Sequence, residues 1–123
     1  MIKKAKKHAK ETYWSMQNAM RGIWFGYGSE RNFRTEIYII FGAILLSIYL
    51  DLNYLEYSVV FLASSVVLGA ELLNTAIEES WNKLHPDQHH SVGRIKDIAS
   101  GGVFLVGLGA ALAGSAIFIH HIF

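Results

Sequence analysis

The sequence predicts an all-α integral membrane protein: an N-terminal amphipathic surface helix over residues 1–28, then three membrane helices at about 35–52, 55–80 and 96–121. Three observations carry that expectation. Hydrophobic residues make up 52% of the 123-residue chain, mean hydropathy is +0.27, and the apolar residues gather in three long runs. The eleven Lys and Arg residues all lie outside those runs. The first 28 residues, by contrast, repeat apolar positions at helical spacing without being apolar throughout.

A chain of this length is one domain's worth, too short for a soluble enzyme with a separate nucleotide domain. No cysteine occurs, which excludes disulfides, thiolate metal sites and a cysteine nucleophile. The net charge of +1 says little, and its distribution says more.

The opening segment "MIKKAKKHAKETYWSMQNAM" is basic, yet no apolar stretch with a small-residue cleavage site follows it, so it is not read as a signal peptide. Tyr13, Met16, Met20, Ile23 or Trp24, and Tyr27 share one helical face. Lys10, Gln17 and Arg21 share the opposite one. That division suits a helix lying on the membrane surface.

The first span is centred on "IYIIFGAILLSIYL" at 37–50 and closed by Asp51; the second runs from near Tyr54 through "YSVVFLASSVVLGA" to Glu71 and beyond. The third, "IASGGVFLVGLGAALAGSAIFI" at 98–119, carries no charge. Crossing ~30 Å at ~1.5 Å per residue takes about 20 residues, so the first two spans need their polar-ended turns and Glu71 falls near a boundary. Lys3, Lys4, Lys6, Lys7, Lys10, Arg21, Arg31 and Arg34 precede the first span, and Lys83, Arg94 and Lys96 lie between the second and third. The positive-inside rule then puts the N-terminus and the second loop in the cytoplasm, and with them the Glu71 to Glu78 end of span two.

On a helix turning ~100° per residue, Glu78 lies about −20° and Asn74 about −60° from Glu71, with Leu72, Leu73, Ala76 and Ile77 on the other side. Two acids and an amide therefore form one stripe. Ionisable groups in a membrane segment are costly and mark functional sites by default. The segments "GSERNFRTE" at 28–36 and "GRIKDIASGG" at 93–102 bring further acids and bases to the same depth. Carboxylates from two helices can hold a cation such as Mg²⁺ together with phosphate oxygens, nearby Lys and Arg can balance a polyphosphate, and a remaining acid can act as a general base. A salt-bridged set of helix ends would use the same residue types.

Other chemistries lack their signatures. No Walker A sequence, protein-kinase catalytic loop or D-F-G occurs. His85, His89 and His90 in "HPDQHH" invite a metal reading, but Pro86 argues against a helix that would align His85 with His89, and a loop is expected there. The basic N-terminus beside a span reads as attraction to lipid headgroups rather than to nucleic acid. In span three, Gly107, Ala111 and Ser115 fall at i, i+4 and i+8, a small-residue face that permits close helix approach and a homo-oligomer with sites between subunits.

With those residues on the page, the chain resembles the prokaryotic diacylglycerol kinase family, small trimeric membrane kinases that include diacylglycerol kinases and undecaprenol kinases. The motif "ELLNTAIE" at 71–78 fits the family's E-[IL]-[LV]-N-[ST]-A-I-E signature at every position. "ERNF" at 30–33 and "KDIASGGV" at 96–103 resemble two further family segments, and the collinear likeness covers roughly residues 18–123. The resemblance implies an ATP-dependent lipid kinase of the bacterial cytoplasmic membrane, a homotrimer with active sites shared between subunits. It implies Glu71 as general base, Asn74 as the orienting amide, Glu30 and Glu78 as ligands of Mg²⁺, and Lys96 and Asp97 as nucleotide contacts. Thr35 stands where better-studied members have glutamine. Glu11 occupies the aligned position of a basic residue used near ATP, so Lys10 beside it is assigned there instead.

Two lipid alcohols compete as substrate. "ERNF" and "ELLNTAIE" are more similar to undecaprenol kinases, whereas "GR-x-KD" at 93–97 is more similar to diacylglycerol kinases. A reading from another class is a small cation or proton conduit lined by Glu71 and Glu78, which would conduct without ATP.

Overall fold

The computed structural model describes residues 1–87 and 90–123, with the side chains of 90–92 outside that description. Its elements are four helices: α1 (Ile2–Ser29), α2 (Arg31–Tyr49), α3 (Tyr54–Leu84) and α4 (His90–Ile122). The last part of the "HPDQHH" segment, including His89 and the side chain of His90, falls outside the described residues.

α1 and α2 are separated by a single residue, Glu30, whose backbone is extended at φ −106° and ψ 114°. Gly26, Gly28 and Ser29 weaken the helix just before this break. Arg34, one turn into α2, donates from Nη1 to the carbonyl oxygens of Tyr27 (2.9 Å) and Gly28 (3.1 Å). A guanidinium on the last free carbonyls of a helix satisfies them and meets the negative end of its dipole. The Tyr27 and Tyr38 hydroxyls, 2.9 Å apart, add a second tie across the junction.

α2 stops at Tyr49, short of the limit near 52 read from hydropathy. The Asp51 N–H donates to the Ile48 carbonyl and the Leu52 N–H to the Ser47 carbonyl, both at 3.2 Å. Together these bonds make a Schellman turn, with Asp51 in the left-handed region at φ 53°. Leu52, 5% exposed, supplies the apolar contact that closes such turns. Asn53 then opens α3 with a capping box. Its Oδ1 accepts from the backbone N–H groups of Leu55 and Glu56, and Glu56 Oε2 accepts from the Asn53 N–H, each at 3.0 Å.

Glu56 has a second partner. His121 Nε2 lies 2.9 Å from its Oε2, with side chains 24% and 19% exposed, so the first turn of α3 is fastened to the last turn of α4. α4 packs along α3, and α2 packs against α3 as well. α3 is thus the shared wall of the assembly. At its other end it runs to Leu84, beyond the boundary near 80, because "ESWNKL" favours helix and only Pro86 forbids continuation.

Two of the helices, Tyr54–Leu84 and Gly93–Ile122, are long and apolar enough to cross a membrane. α2 reaches only 19 residues and spends its first two turns on Arg31, Arg34 and Glu36. Large apolar side chains cover the outside: Phe104 and Leu105 are each 68% exposed and Leu112 64%. An exterior of that character suits the hydrocarbon of a bilayer.

The left-handed Asp51 yields a stability prediction. An L-residue in that region costs roughly 1–2 kcal/mol that glycine does not. Asp51→Gly should therefore raise the unfolding free energy in detergent micelles by about 1 kcal/mol. An unchanged or lower denaturant midpoint would contradict the turn geometry.

Candidate functional site

Glu71 is 4% exposed, a buried carboxyl midway along α3. Within electrostatic reach of it lie the carboxyls of Glu30 at the α1–α2 junction, Glu78 two turns on along α3, and Glu36 in α2, with the Asn32 side chain close by. Three segments therefore bring four acids into the same region. Thr75, 8% exposed, turns its hydroxyl back onto the Glu71 carbonyl at 3.0 Å, which seals the helix beneath the site.

The approach of α1 depends on one glycine. Gly26 is buried, and a Cβ there would collide with Leu72 Cδ2 and touch the Phe33 ring at 3.8 Å. Phe33 itself is 2% exposed. Gly26, Phe33 and Leu72 thus make a plug beside Glu71 that brings Glu30 and Asn32 to it.

Asn74 lies on the same stripe, and its Oδ1 is buried with no hydrogen-bond partner among the described residues. The same is true of Glu36 Oε2 and of Trp81 Nε1. A buried polar atom left unmatched costs free energy, so Asn74 and Glu36 are acceptors in search of a donor. Lys96 reaches α3 from α4, donating from Nζ to Asn82 Oδ1. Asp97, next to it, is exposed.

Not every expected residue is brought in. Lys10 is exposed and stands sixteen positions before Gly26 on the unbroken α1, about 24 Å along its axis. Thr35 spends its hydroxyl on the Arg31 carbonyl at 3.0 Å rather than on the acids. His85 ends α3 and packs on Trp81, ring centroids 4.3 Å apart and planes tilted by 31°, and belongs to no described metal-holding group. Sequence reasoning, for its part, missed Glu36 as a member of the acid group, Gly26 as its spacer and Asn82 as the partner of Lys96. The helical phase of Asn82 relative to Glu78 was the available signal for the last.

Among the described residues no cluster of three or more His, Cys, Asp or Glu is arranged to hold a metal ion. Mg²⁺ commonly takes one or two carboxylates and completes its shell with waters and phosphate oxygens, so Glu30 and Glu78 fit a cation that arrives with a phosphate. Glu36 also stands at the edge of an apolar cleft of about 430 Å³ between α2, α3 and α4. Gly107, Ala111, Gly114 and Ser115 floor it on the α4 side. The small-residue face thus opens onto space rather than onto a helix of the same chain. A buried carboxyl with nearby carboxylates, a lysine of α4 bonded to Asn82 one turn beyond Glu78, and an adjoining apolar cleft can accept a proton, bind a phosphate-borne cation and shelter a lipid chain.

Comparison with known proteins bears on that chemistry. The model of the prokaryotic diacylglycerol kinase family matches residues 17–118. An undecaprenol kinase from Bacillus subtilis (strain 168) is 32% identical over 106 residues, which are 85% of this chain and 85% of the relative. A diacylglycerol kinase from Synechocystis sp. is 29% identical over 106 residues, 85% of this chain and 61% of its own length. A diacylglycerol kinase from Haemophilus influenzae is 29% identical over 93 residues, 74% of this chain and 77% of its own.

Gly26 provides the test of the site's scaffold. Gly26→Ala should be absorbed by a rotation of Leu72, whereas Gly26→Val should cost roughly 1–3 kcal/mol by overpacking. It should also expose the 26–33 junction to limited proteolysis. A valine variant as stable and as protected as the parent would show that α1 does not need this contact.

Proposed function

The chain belongs to the prokaryotic diacylglycerol kinase family, and on that premise we propose that it transfers the γ-phosphate of ATP to the hydroxyl of a membrane lipid alcohol, with Glu71 as the general base. It is a phosphotransferase with an alcohol acceptor. The observation that carries the residue assignment is the burial of Glu71 where α1, α2 and α3 meet, with Glu30 and Glu78 within electrostatic reach. A carboxylate so placed can accept the proton of a hydroxyl that reaches it.

In this reading the lipid hydroxyl oxygen attacks the γ-phosphorus while its proton passes to a Glu71 carboxylate oxygen. The bond between the γ-phosphorus and the β-phosphate oxygen breaks, and ADP leaves with that electron pair. Asn74 orients the reacting groups through its side-chain amide, whose buried Oδ1 has no partner among the described residues. Mg²⁺ bound with ATP would neutralise charge on the β- and γ-phosphate oxygens, and Glu30 and Glu78 are the carboxylates that would hold it. Lys96 contacts the phosphates and Asp97 the sugar or base side. Lys10 joins the nucleotide only if α1 bends or a neighbouring subunit brings its own.

The same reading sets the chain in the bacterial cytoplasmic membrane, with α2, α3 and α4 crossing, the N-terminus inside and α1 lying on the surface. The exposed Tyr13, Trp14, Met16, Met20 and Trp24 of α1 support that placement. A homotrimer would cover the small-residue face that α4 leaves open. The acceptor is diacylglycerol, giving phosphatidate, or undecaprenol, giving undecaprenyl phosphate. The relatives carry both names.

Three measurements test this. Phosphorylation of the two alcohols in one detergent mixture with labelled ATP identifies the acceptor, and label on neither would remove the lipid-kinase reading. Glu71→Gln should assemble normally yet lose at least about 100-fold in turnover, as expected when a general base is removed. Glu78→Gln should shift the Mg²⁺ titration to higher concentration; an unmoved titration would take Glu78 out of the metal shell.

A further inference from the structure

Among the described residues, α1 is fastened to the rest of the molecule from Gly26 onward, through the Leu72 contact and the bonds that Tyr27 and Gly28 make with α2. Residues 2–25 are exposed except Gln17, which bonds Tyr13. At ~1.5 Å per residue they form an arm about 36 Å long that the chain leaves uncovered. The arm is also short of acids. Lys3, Lys4, Lys6, Lys7 and Lys10 are met by one, Glu11, which lies 3.9 Å from Lys7 and 3.4 Å from His8. Lys3 with Lys6 and Lys7, and Lys6 with Lys10, stand three or four residues apart, the spacing at which like charges on a helix repel. Lys3 and Lys4 also put charge in the first turn, at the positive end of the helix dipole. Standing alone, this helix is opposed by its own charges.

We propose that residues 3–10 bind anionic lipid headgroups, so that α1 lies down on a negatively charged bilayer and far less on a neutral one. This rests on the reading of α1 as a surface helix. Taking Lys3 as zero, Lys6, Lys7 and Lys10 fall between about −60° and +40°, while Tyr13, Met16, Met20 and Trp24 fall between about −140° and −60°. The basic arc borders the apolar stripe. On a bilayer the aromatic and Met side chains enter the interface, and the lysine stems run along it with their ammonium groups among the headgroups. The stripe leads, across the break at Glu30, into the exposed Tyr38, Ile39 and Phe41 of α2, so the occupant that meets both is one continuous lipid surface. Each lysine close to an anionic surface raises partition roughly fivefold, and salt screens the attraction over ~10 Å. Residues 3–10 precede the stretch at 17–118 that matches the family, and the family likeness says nothing of them.

The chain has no cysteine, so Ala9→Cys takes a single spin label on the apolar side of the arm. The full-length protein is placed in nanodiscs of phosphatidylcholine alone or of phosphatidylcholine mixed with phosphatidylglycerol. Label depth is read from relaxation by oxygen and by a water-soluble nickel chelate. In mixed nanodiscs the label should sit in lipid. Phosphatidylcholine alone, or high salt, should lower the ratio of lipid-inserted to water-exposed label at least about fivefold. Lys3→Gln, Lys4→Gln, Lys6→Gln and Lys7→Gln together, which keep helix propensity, should do the same in mixed nanodiscs. Arginine at those four positions should restore insertion.

Three outcomes overturn the idea, and they are distinguishable. Equal depth in both lipids and in the glutamine variant would show that the apolar stripe alone holds the arm; the anionic preference then fails and the surface helix stands. A label in water in every lipid would sink the surface reading and the proposal with it. A label shielded from oxygen and nickel alike, whatever the lipid, would set the arm against another subunit instead of a bilayer.

Discussion

A carboxylic acid that is 4% exposed, Glu71, is the constraint around which the other parts are arranged. Burying such a group among apolar helices is costly unless the surroundings supply dipoles, donors or a bound cation. Here the surroundings supply Asn32 on one side and the acids Glu30, Glu36 and Glu78 on others. Acids gathered in this way repel one another when charged. A positive partner, whether a proton or a cation, would relieve that repulsion.

Holding that cluster together falls to contacts that are mostly apolar or neutral. Gly26 lets α1 lie against Leu72, Phe33 fills the junction, and Arg34 closes the end of α1 by bonding its carbonyls. None of these groups adds another acid. At the far end of the molecule the arrangement is reversed. There a hydrogen-bonded pair, Glu56 with His121, fastens α3 to α4, and Glu56 also caps the helix it begins. One end gathers carboxyls, and the other ties two helices together. α3, which both α2 and α4 pack against, transmits the register between them.

Much of this was legible in the chain. A 3.6-residue period places Glu71, Asn74 and Glu78 on one stripe wherever that helix goes, and the apolar runs mark α3 and α4 as candidates for crossing a membrane. Asp51 and Asn53 mark a helix end and a helix start by their side-chain chemistry. Yet the end came at Tyr49, because a Schellman turn uses Leu50, Asp51 and Leu52, and hydropathy does not register the backbone geometry that takes them out of the helix. The small-residue face of α4 was equally plain, but what it faces is a cleft beside α2 and α3.

By itself, then, the sequence determined the helices, the stripe of acids on one of them and the family to which the chain belongs, because each depends on residues within a few turns of one another. Only the tertiary structure decided that Glu36 joins the acids, that Gly26 is the spacer beneath them, that Asn82 takes Lys96 and that Glu56 takes His121. Those pairings join residues 14 and 65 positions apart in the last two cases. They follow from which helices become neighbours and at what rotation, and local periodicity carries no record of that. The stretch from Glu71 to Asn82 spans both kinds of information: its spacing shows one polar face, and packing decides what that face meets.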